Sequence, residues 1–269
     1  MKMNLLVLAC LLLTVWLAPP VRGGETIVVT TSLLQDVVER LLPEDSGLQV
    51  FRLIPPGACP GHFDLQPSVR YALVNARLLF RHEFQEALAG KLLRISRNEL
   101  VDVVVTTQTS LLVPENYLNS TRVIARELTA CYPEMRLPVA QALQDVAQAV
   151  EKIQLQAKEQ SRSWQDVPVI AAEHQHAFAD WLGFRVIAVL ERPENLTPKD
   201  LARYYELSPK LIIGNLQEGD AAARHLEERL RVPSVVLSNF PGADGFGNGY
   251  FELFTQNLAR IARKLPTHD

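Results

Sequence analysis

The sequence lacks the features that mark several large classes of protein. Its 269 residues carry a formal net charge of -3, so there is no basic surface for nucleic acid, and we expect no nucleic-acid partner. No stretch is repetitive or low in complexity, and none has the composition of a disordered tract. After Ala18, no apolar run approaches the length that spans a bilayer. With 48% hydrophobic residues, the chain can fill one large core or the cores of two ordinary lobes.

Cysteine is scarce, and the motifs of two kinds of protein are missing. Only Cys59 and Cys131 follow the N-terminal apolar run, and in an oxidising compartment they could form a disulfide or act as metal ligands. The absence of a Cys-x-x-Cys motif argues against a thiol-based redox or copper-handling protein. The absence of a Gly-x-Ser-x-Gly elbow argues against a hydrolase with Ser238, His62 and Asp244 as its triad. We therefore expect a binding protein rather than an enzyme.

The N-terminus has the organisation of a secretory signal peptide. Met1–Asn4 carries one lysine, Leu5–Ala18 is apolar, and Val21–Gly23 offers small residues to a signal peptidase. The apolar run is too short to span a bilayer well. Cys10 lies too early for a lipoprotein box, so lipid anchoring is the less favoured alternative. We predict that residues 1–23 are a cleaved signal peptide and that the mature protein is soluble and exported.

The rest of the chain predicts an α/β fold. Short apolar runs alternate with helical patterns, and the runs are apolar throughout, as expected for parallel strands covered on both faces. The predicted strands are Thr26–Thr31, Leu48–Ile54, Arg77–Phe80 and Val101–Thr106 in the first half, and Pro168–Ala172, Arg185–Val189, Lys210–Gly214 and Pro233–Leu237 in the second. Helices are predicted at Ser32–Leu42, Thr197–Leu207 and Gly249–Leu265. We therefore predict two lobes, each with a mainly parallel four-stranded sheet flanked by helices.

A long helical pattern separates the two halves. From about Met135 to Ser163, apolar residues recur every three or four positions. The predicted apolar stripe consists of Leu137, Ala140, Leu143, Val146, Val150, Ile153 and Ala157. This pattern fits an ordinary core helix or one rigid rod that joins the lobes, and we favour the rod. We place the N-terminal lobe at residues 24–133, the linker helix at 134–164 and the C-terminal lobe at 165–269.

Polar or glycine-rich sequence follows four of the predicted strands. In open parallel sheets, ligands bind beyond the carboxyl ends of the strands. The four segments found at such ends are residues 55–68, 173–176, 215–220 and 238–250. If the two lobes face each other, these segments share one cleft. The sequence therefore places the candidate site between the lobes.

The loop Pro55–Ser68 carries the first candidate metal ligands. Its prolines forbid a regular element, while Cys59, His62 and Asp64 supply a thiol, an imidazole and a carboxylate. The structural alternative for His62 is an exposed loop histidine. A stiff loop, however, holds an imidazole in one place, as a metal ligand requires. We therefore select His62 as a metal ligand, with Cys59 as a further candidate.

The second half offers candidates in the run from Glu173 to His176. On a strand end, Glu173 and Gln175 would share one face while His174 and His176 share the other, until a helix begins near His176. At most two of these four side chains can then reach one ion. We select His174 as the first choice of ligand and Glu173 as the second.

Two other residues are candidate metal ligands only because of their positions in the chain. Cys131 precedes the long helical pattern and is either a metal ligand or a buried, inert thiol. His82 follows a predicted strand at the end where ligands bind, and it is the weaker candidate.

These segments together resemble the zinc/manganese ABC-transporter solute-binding proteins, in which one rigid helix joins two α/β lobes. The resemblance extends over essentially the whole mature chain. The segments that carry it are TTSLLQDVVERL (30–41), PPGACPGHFDLQPS (55–68), NARLLFRHEFQEAL (75–88), EHQHAFADWLGF (173–184) and GNGYFELFTQNLARI (247–261). The second segment is similar to a family motif that ends in Pro-His-x-Phe-x-Pro, with Gly61 inserted. His62 therefore corresponds to the first metal ligand of the family.

The ligand set that the resemblance implies is incomplete. The family binds its ion through three histidines, or through two histidines and two carboxylates. The neighbourhood of the second histidine holds Cys131 and no histidine. The His-x-Ala-Phe motif aligns Gln175 with the second-lobe ligand, unless an insertion restores His174. Asn248 stands where an aspartate is expected, and Asp244 lies four residues earlier.

Two hypotheses follow for the thiols. In the first, Cys59 or Cys131 joins His62 and His174 in a sulfur and nitrogen ligand set, which favours Zn²⁺ or Cu⁺ over Mn²⁺. In the second, the two cysteines form a disulfide that braces the first-lobe loop.

The resemblance implies a periplasmic receptor that captures a divalent transition-metal ion between its lobes and delivers it to an ABC-transporter membrane permease. We expect the ion to be Zn²⁺, with Mn²⁺ or Cu⁺ as alternatives, and the protein to be a monomer. The incomplete ligand set keeps two alternatives open, an exported receptor for an organic ligand or metal chelate and a thiol-based metal-handling protein.

Overall fold

The computed structural model describes residues 25–60, 67–96, 100–243 and 245–265, and every structural statement below concerns that part of the chain. The predicted signal peptide lies outside it. So do three residues of the predicted site, His62, Asp64 and Asp244. Among the described residues, no helix combines the length and the apolar character needed to cross a bilayer.

Two separate four-stranded sheets form the centres of two lobes, and every strand pairing is parallel. The strands are β1 (Thr26–Val29), β2 (Gln49–Arg52), β3 (Ala76–His82), β4 (Val101–Val105), β5 (Pro168–Ala172), β6 (Arg185–Leu190), β7 (Leu211–Asn215) and β8 (Ser234–Leu237). The first sheet has the order β2-β1-β3-β4, and the second has the order β6-β5-β7-β8. Both sheets therefore have the same topology, and the predicted fold class is confirmed.

Helices connect the strands, because parallel neighbours require a crossover connection. The α-helices are α1 (Ser32–Leu41), α2 (Pro67–Val74), α3 (Glu86–Leu93), α4 (Pro114–Cys131), α5 (Arg136–Gln160), α6 (Glu173–Trp181), α7 (Pro198–Tyr205), α8 (Ala221–Leu230) and α9 (Tyr250–Lys264). Local sequence sets several of their starts. The Thr31 hydroxyl accepts a hydrogen bond from the backbone N of Leu34 at the start of α1. A capping box between Thr197 and Asp200 begins α7.

The central strands are covered on both faces, as their apolar sequences predicted, whereas Val101 and Val104 in the edge strand β4 are exposed. In β1, Val28 packs into a cluster on one face of the first sheet, while Ile27 and Val29 pack into a larger cluster on the other face. In β5 of the second sheet, Ile170 packs into a local cluster on one face, while Val169 packs into the larger cluster on the other face. The larger cluster contains residues of both sheets, so one continuous core joins the lobes.

The long helix between the sheets is α5, which has 25 residues and therefore a length of about 37 Å. Its buried side chains are Val139, Val146, Val150, Ile153 and Ala157, all within the core shared by the lobes. The predicted stripe is correct from the middle of the helix onwards. It is wrong at the start of the helix, because Leu137 is 83% exposed and Ala140 is exposed too, while Val139 takes the buried position.

Candidate functional site

The carboxyl ends of both sheets open onto one cavity between the lobes, with a volume of about 560 Å³. The first lobe lines this cavity with residues at and after the ends of β2, β3 and β4. The second lobe lines it with residues at and after the ends of β5, β6, β7 and β8. We call this space the cleft. Its position follows from the parallel strands, which present their carboxyl ends at one edge of each sheet.

His174 and Glu218 form a close pair in the second-lobe wall of the cleft. The Nδ1 atom of His174 lies 2.5 Å from Oε1 of Glu218, and Nε of Arg192 lies 3.8 Å from the same oxygen. The Glu218 side chain is 5% exposed, whereas the His174 side chain is 46% exposed. Because Nδ1 faces the carboxylate, Nε2 is the ring nitrogen that is left for a ligand. A nearby carboxylate is the usual orienting partner of a metal-binding histidine, although Oε1 of Glu218 makes no hydrogen bond of regular geometry among the described residues.

The start of α6 differs from the prediction. Ala172 ends β5, and the helix begins at Glu173 instead of near His176. Successive side chains on a helix do not alternate between two faces, so the expected division of this segment does not apply. Glu173 and His174 both line the cleft. Nε2 of His176 instead lies 3.0 Å from Oδ2 of Asp180, on the same helix.

Gln175 is fully buried and is not among the residues that line the cleft. Its Nε2 donates a hydrogen bond of 2.9 Å to Oδ1 of Asn239, and its Oε1 has no partner among the described residues. Of the two residues that the sequence offered for this ligand position, His174 is the one that reaches the cleft.

The structure separates the two thiols. Cys59 lines the cleft beside Pro60, whereas Cys131 ends α4 and packs against the core shared by the lobes. Both cysteines are free. The first residue of α4, Pro114, closely follows the cleft residue Leu112, so the helix carries Cys131 about 25 Å along its axis. Of the two thiols in the first hypothesis, only Cys59 lines the cleft, and the disulfide of the second hypothesis is not formed.

His82 is completely buried at the first-lobe side of the cleft. Its Nε2 lies 3.0 Å from the Thr31 hydroxyl, and its ring stacks on Phe84 with 5.2 Å between centroids. Its Nδ1 has no hydrogen-bond partner among the described residues. Burial lowers the pKa of His82 to about 4, although the charge of Glu83 acts in the opposite direction. His82 is therefore a neutral residue of the wall at neutral pH.

Gln217 links the second lobe to the proline-rich loop of the first. Its Nε2 donates to the carbonyl oxygen of Pro56 at 3.0 Å and to the hydroxyl of Ser238 at 2.9 Å. Its Oε1 accepts from the backbone N of Asn239 at 3.1 Å. A Cβ added at Gly242 would lie 3.1 Å from Pro56, so the loop also packs against the second lobe there. These contacts hold the segment that carries Cys59 in place.

Ser238 is not available as a nucleophile. It is fully buried, and its hydroxyl donates to the carbonyl of Phe240 while it accepts from Nε2 of Gln217. The other members of the alternative triad, His62 and Asp244, lie outside the described residues.

No group of three or more His, Cys, Asp and Glu side chains is placed to hold a metal ion within the described ranges. Cys59, Glu173 and His174 line the same cleft without forming such a group. Asn248, at the predicted aspartate position, is not among the cleft residues, and its backbone N donates to Glu252.

Several polar cleft residues were not singled out from the sequence, namely Thr107, Thr109, Ser110, Arg192, Asn215, Gln217, Glu218 and Asn239. They share one signal, because each is at or shortly after the carboxyl end of a strand. The sequence indicated three of the four second-lobe segments by that rule, but it could not say which side chains turn towards the cleft.

Comparison with known proteins supports the fold and assigns a family. The profile of the family described as zinc-uptake complex component A, periplasmic (ZnuA), matches residues 27–264. No curated protein matches the chain.

Solved structures resemble the chain over most of its length. A crystal structure of ZnuA has a TM-score of 0.75 at 15% identity, with 90% of this chain and 99% of that chain covered. A manganese-bound periplasmic metal-binding protein from Candidatus Liberibacter asiaticus has a TM-score of 0.76 at 14% identity, with 89% and 99% covered. The solute-binding protein FpvC from Pseudomonas aeruginosa, in complex with Mn²⁺, has a TM-score of 0.75 at 16% identity, with 90% and 98% covered. At such low identities these likenesses show the fold, while the profile match over nearly the whole described chain shows that the protein belongs to the ZnuA family of periplasmic metal-binding components of ABC transporters.

Proposed function

We propose that this chain captures Zn²⁺ in the cleft and delivers it to the membrane permease of an ABC transporter. The single observation that carries the proposal is the His174–Glu218 pair at the edge of the cleft. An exposed imidazole with one nitrogen facing a buried carboxylate is the arrangement of a metal-binding histidine with its orienting partner. The membership of the ZnuA family supports a metal ion as the cargo.

We propose His174, Cys59 and Glu173 as ligands because all three line the cleft. His62 completes the proposed set on the strength of its motif in the sequence. Cys131 is not part of it, since it lies in the core at the end of α4. The two imidazoles and one thiolate favour Zn²⁺, with Cu⁺ as the alternative, because Mn²⁺ prefers oxygen ligands.

The proposed cellular role follows from the family and the N-terminus. Residues 1–23 would direct export and be removed, and residues 24–133, 134–164 and 165–269 would form the N-terminal lobe, the linker helix and the C-terminal lobe of a periplasmic monomer. The core that runs through both lobes supports limited motion between them. Metal capture would then depend on local rearrangement of the cleft segments more than on a wide hinge motion.

The test is metal binding by the purified mature protein and two matched histidine variants. His174 and His176 stand two residues apart on α6, but only His174 lines the cleft. We expect His174→Ala to weaken zinc binding at least about 100-fold, more than the loss of a supporting partner alone would. His176→Ala should bind zinc like the parent protein. Equilibrium dialysis with elemental analysis would measure both, and equal zinc affinities for the two variants would exclude His174 as a ligand.

A further inference from the structure

The cleft is larger than a single ion requires. At about 30 Å³ per water molecule, a divalent ion with six waters occupies roughly 180 Å³. The cleft has a volume of about 560 Å³, which is within the usual range for sites that hold small organic molecules. Its walls therefore leave space for more than a metal ion.

A buried hydrogen-bond donor in the wall of the cleft has no partner. Asn215 ends β7, lines the cleft and is 1% exposed. Its Oδ1 accepts a hydrogen bond of 2.8 Å from the backbone N of Gln217, which fixes the orientation of the amide. Its Nδ2 then has no hydrogen-bond partner among the described residues. Unpaired buried donors are rare in folded proteins, and a ligand oxygen would satisfy this one.

Other polar side chains of the cleft have their acceptor atoms engaged and their donors available. The Oδ1 of Asn239 accepts from Nε2 of Gln175 at 2.9 Å, which leaves its Nδ2 as the free end of the amide. In the first lobe, the Thr109 hydroxyl accepts from Nδ2 of Asn116 at 3.2 Å, so its proton is the part available to a ligand. These residues therefore add donors to the lining of the cleft in both lobes.

One carboxylate of the cleft, that of Glu83, is already engaged by the protein. Both oxygens of Glu83 accept from the backbone N of Thr107 at 3.0 Å, and one also accepts from its hydroxyl. Glu218 lies close to His174 and Arg192, although its Oε1 has no hydrogen-bond partner among the described residues. The guanidinium of Arg192 adds further donors and a positive charge to the wall.

We propose that the cleft also holds a small hydroxycarboxylate chelator, which binds together with the captured metal ion. This inference rests on the proposed function, since the ion would stay on the side of Cys59 and His174. Carboxylate and hydroxyl oxygens of the chelator would accept from Asn215, Asn239 and Thr109. Its remaining oxygens would coordinate the metal beside the ligands that the protein supplies.

The test uses citrate and malate as probes with the mature protein. Radiolabelled citrate or malate is dialysed against the protein with and without Zn²⁺, and zinc retention is measured in the same samples. We expect at least one of the two acids to be retained with the protein only when zinc is present, at about one molecule per bound ion.

The other outcomes separate the two proposals. Zinc binding without retention of either acid would overturn the chelate proposal and leave zinc capture intact. Retention of neither zinc nor acid would overturn the proposed function, and the chelate inference with it. Retention of the acid without zinc would also overturn the chelate proposal, because the site would then be one for the free acid.

A pair of asparagine variants tests the proposed hydrogen bond from Asn215 to the acid. Asn215→Asp keeps the oxygen that accepts from Gln217 and replaces the free donor with a second acceptor. We expect it to lower zinc-dependent retention of the acid about tenfold or more. Asn75 is exposed and precedes β3, at the opposite end of the first sheet, so Asn75→Asp makes the same charge change away from the cleft and should retain the acid normally. Equal retention by the two variants would remove Asn215 from the site.

A second variant avoids placing a charge at a buried position. Thr109 is exposed, and Thr109→Val removes only its hydroxyl. We expect about fivefold weaker retention of the acid with zinc, the effect of one ordinary hydrogen bond. Unchanged retention in this variant, together with unchanged retention in Asn215→Asp, would overturn the donor-based recognition that the proposal requires.

Discussion

Asp36 and Tyr250 join the two lobes across a separation of 214 residues. The backbone N of Tyr250, the first residue of α9, donates a hydrogen bond of 3.2 Å to Oδ2 of Asp36 on α1. The same carboxylate accepts from Nε of Arg40 at 2.9 Å and from the hydroxyl of Tyr117 at 3.1 Å. The rings of Tyr117 and Tyr250 stack with centroids 3.6 Å apart. A buried carboxylate is thus placed at the N-terminus of α9, where the helix dipole favours negative charge.

Replacing this carboxylate should loosen the contact between the lobes. We expect Asp36→Asn to lower the free energy of unfolding by about 2 kcal/mol, because it weakens several charge-assisted hydrogen bonds at a buried site. Chemical denaturation of the mature protein measures the effect. Asp45→Asn is the control, since Asp45 is exposed in the turn after α1. A loss no larger than that of the control would show that this contact contributes little to stability.

The buried carboxylate of Glu218 should strengthen metal binding without touching the ion. Glu218→Gln removes the charge that faces Nδ1 of His174. We expect zinc affinity to fall about 10- to 100-fold, the usual effect of losing the partner that orients a metal-binding histidine. Glu228→Gln on the exposed side of α8 provides a charge-matched control. The zinc affinities of the two variants are measured by competition with a chelator of known affinity. If they are equal, the His174–Glu218 pair has no role in zinc binding.

The pKa of His82 predicts a loss of stability in mild acid. Burial lowers this pKa from 6.5 to about 4, with the charge of Glu83 opposing the shift. Between these pH values the unfolded chain binds a proton that the folded protein does not, so the free energy of unfolding falls as the pH falls. The free energy of unfolding falls by about 3 kcal/mol by pH 4 for this reason. At pH values well above 6.5, the pKa in the unfolded chain, this loss does not occur.

The variant His82→Gln separates this effect from the other titrating groups. Urea denaturation at pH 7 and at pH 4.5 should show a smaller acid-induced loss of stability in His82→Gln than in the parent protein. His225→Gln is the control, because His225 is exposed on α8. Parallel pH profiles for the parent and the His82 variant would contradict the proton linkage.

The architecture could be predicted from the sequence because it depends on local patterns. Alternating apolar runs and helical periods identify strands and helices, and a short strand followed by a helix and another strand implies a parallel sheet. The carboxyl ends of such strands then fix the side of each sheet on which the cleft lies. The first turn of α5 shows the limit of this reasoning, since periodicity alone could not show that Leu137 faces solvent while Val139 is buried.

The contacts that shape the cleft could not be predicted in this way. The hydrogen bond from Gln217 to Pro56 spans 161 residues, and it exists only because the lobes pack against each other. Likewise, the sequence left open whether Cys131 is a metal ligand or a buried thiol, because it does not show where the end of α4 lies relative to the cleft. Side-chain pairings between distant segments follow from three-dimensional packing, and a single sequence carries little information about them.

The different positions of the two thiols predict that zinc protects Cys59, but not Cys131, from alkylation. Both Cys59 and Cys131 are free and partly exposed, so both should react with iodoacetamide in the metal-free mature protein. Zinc should slow the reaction of Cys59, because metal coordination occupies the thiolate that reacts. It should leave Cys131 unaffected, since that residue lies outside the cleft.

Mass spectrometry of the two cysteine peptides, with and without zinc, would measure these rates in one sample. The protection of Cys59 should disappear in His174→Ala and persist in His176→Ala, because only the first variant loses a proposed ligand of the same ion. If zinc protects neither thiol while it still binds, Cys59 is not a ligand and the ion is held by nitrogen and oxygen atoms alone. Mn²⁺ would then compete better with Zn²⁺, because the thiolate that disfavours manganese would be absent from its coordination shell.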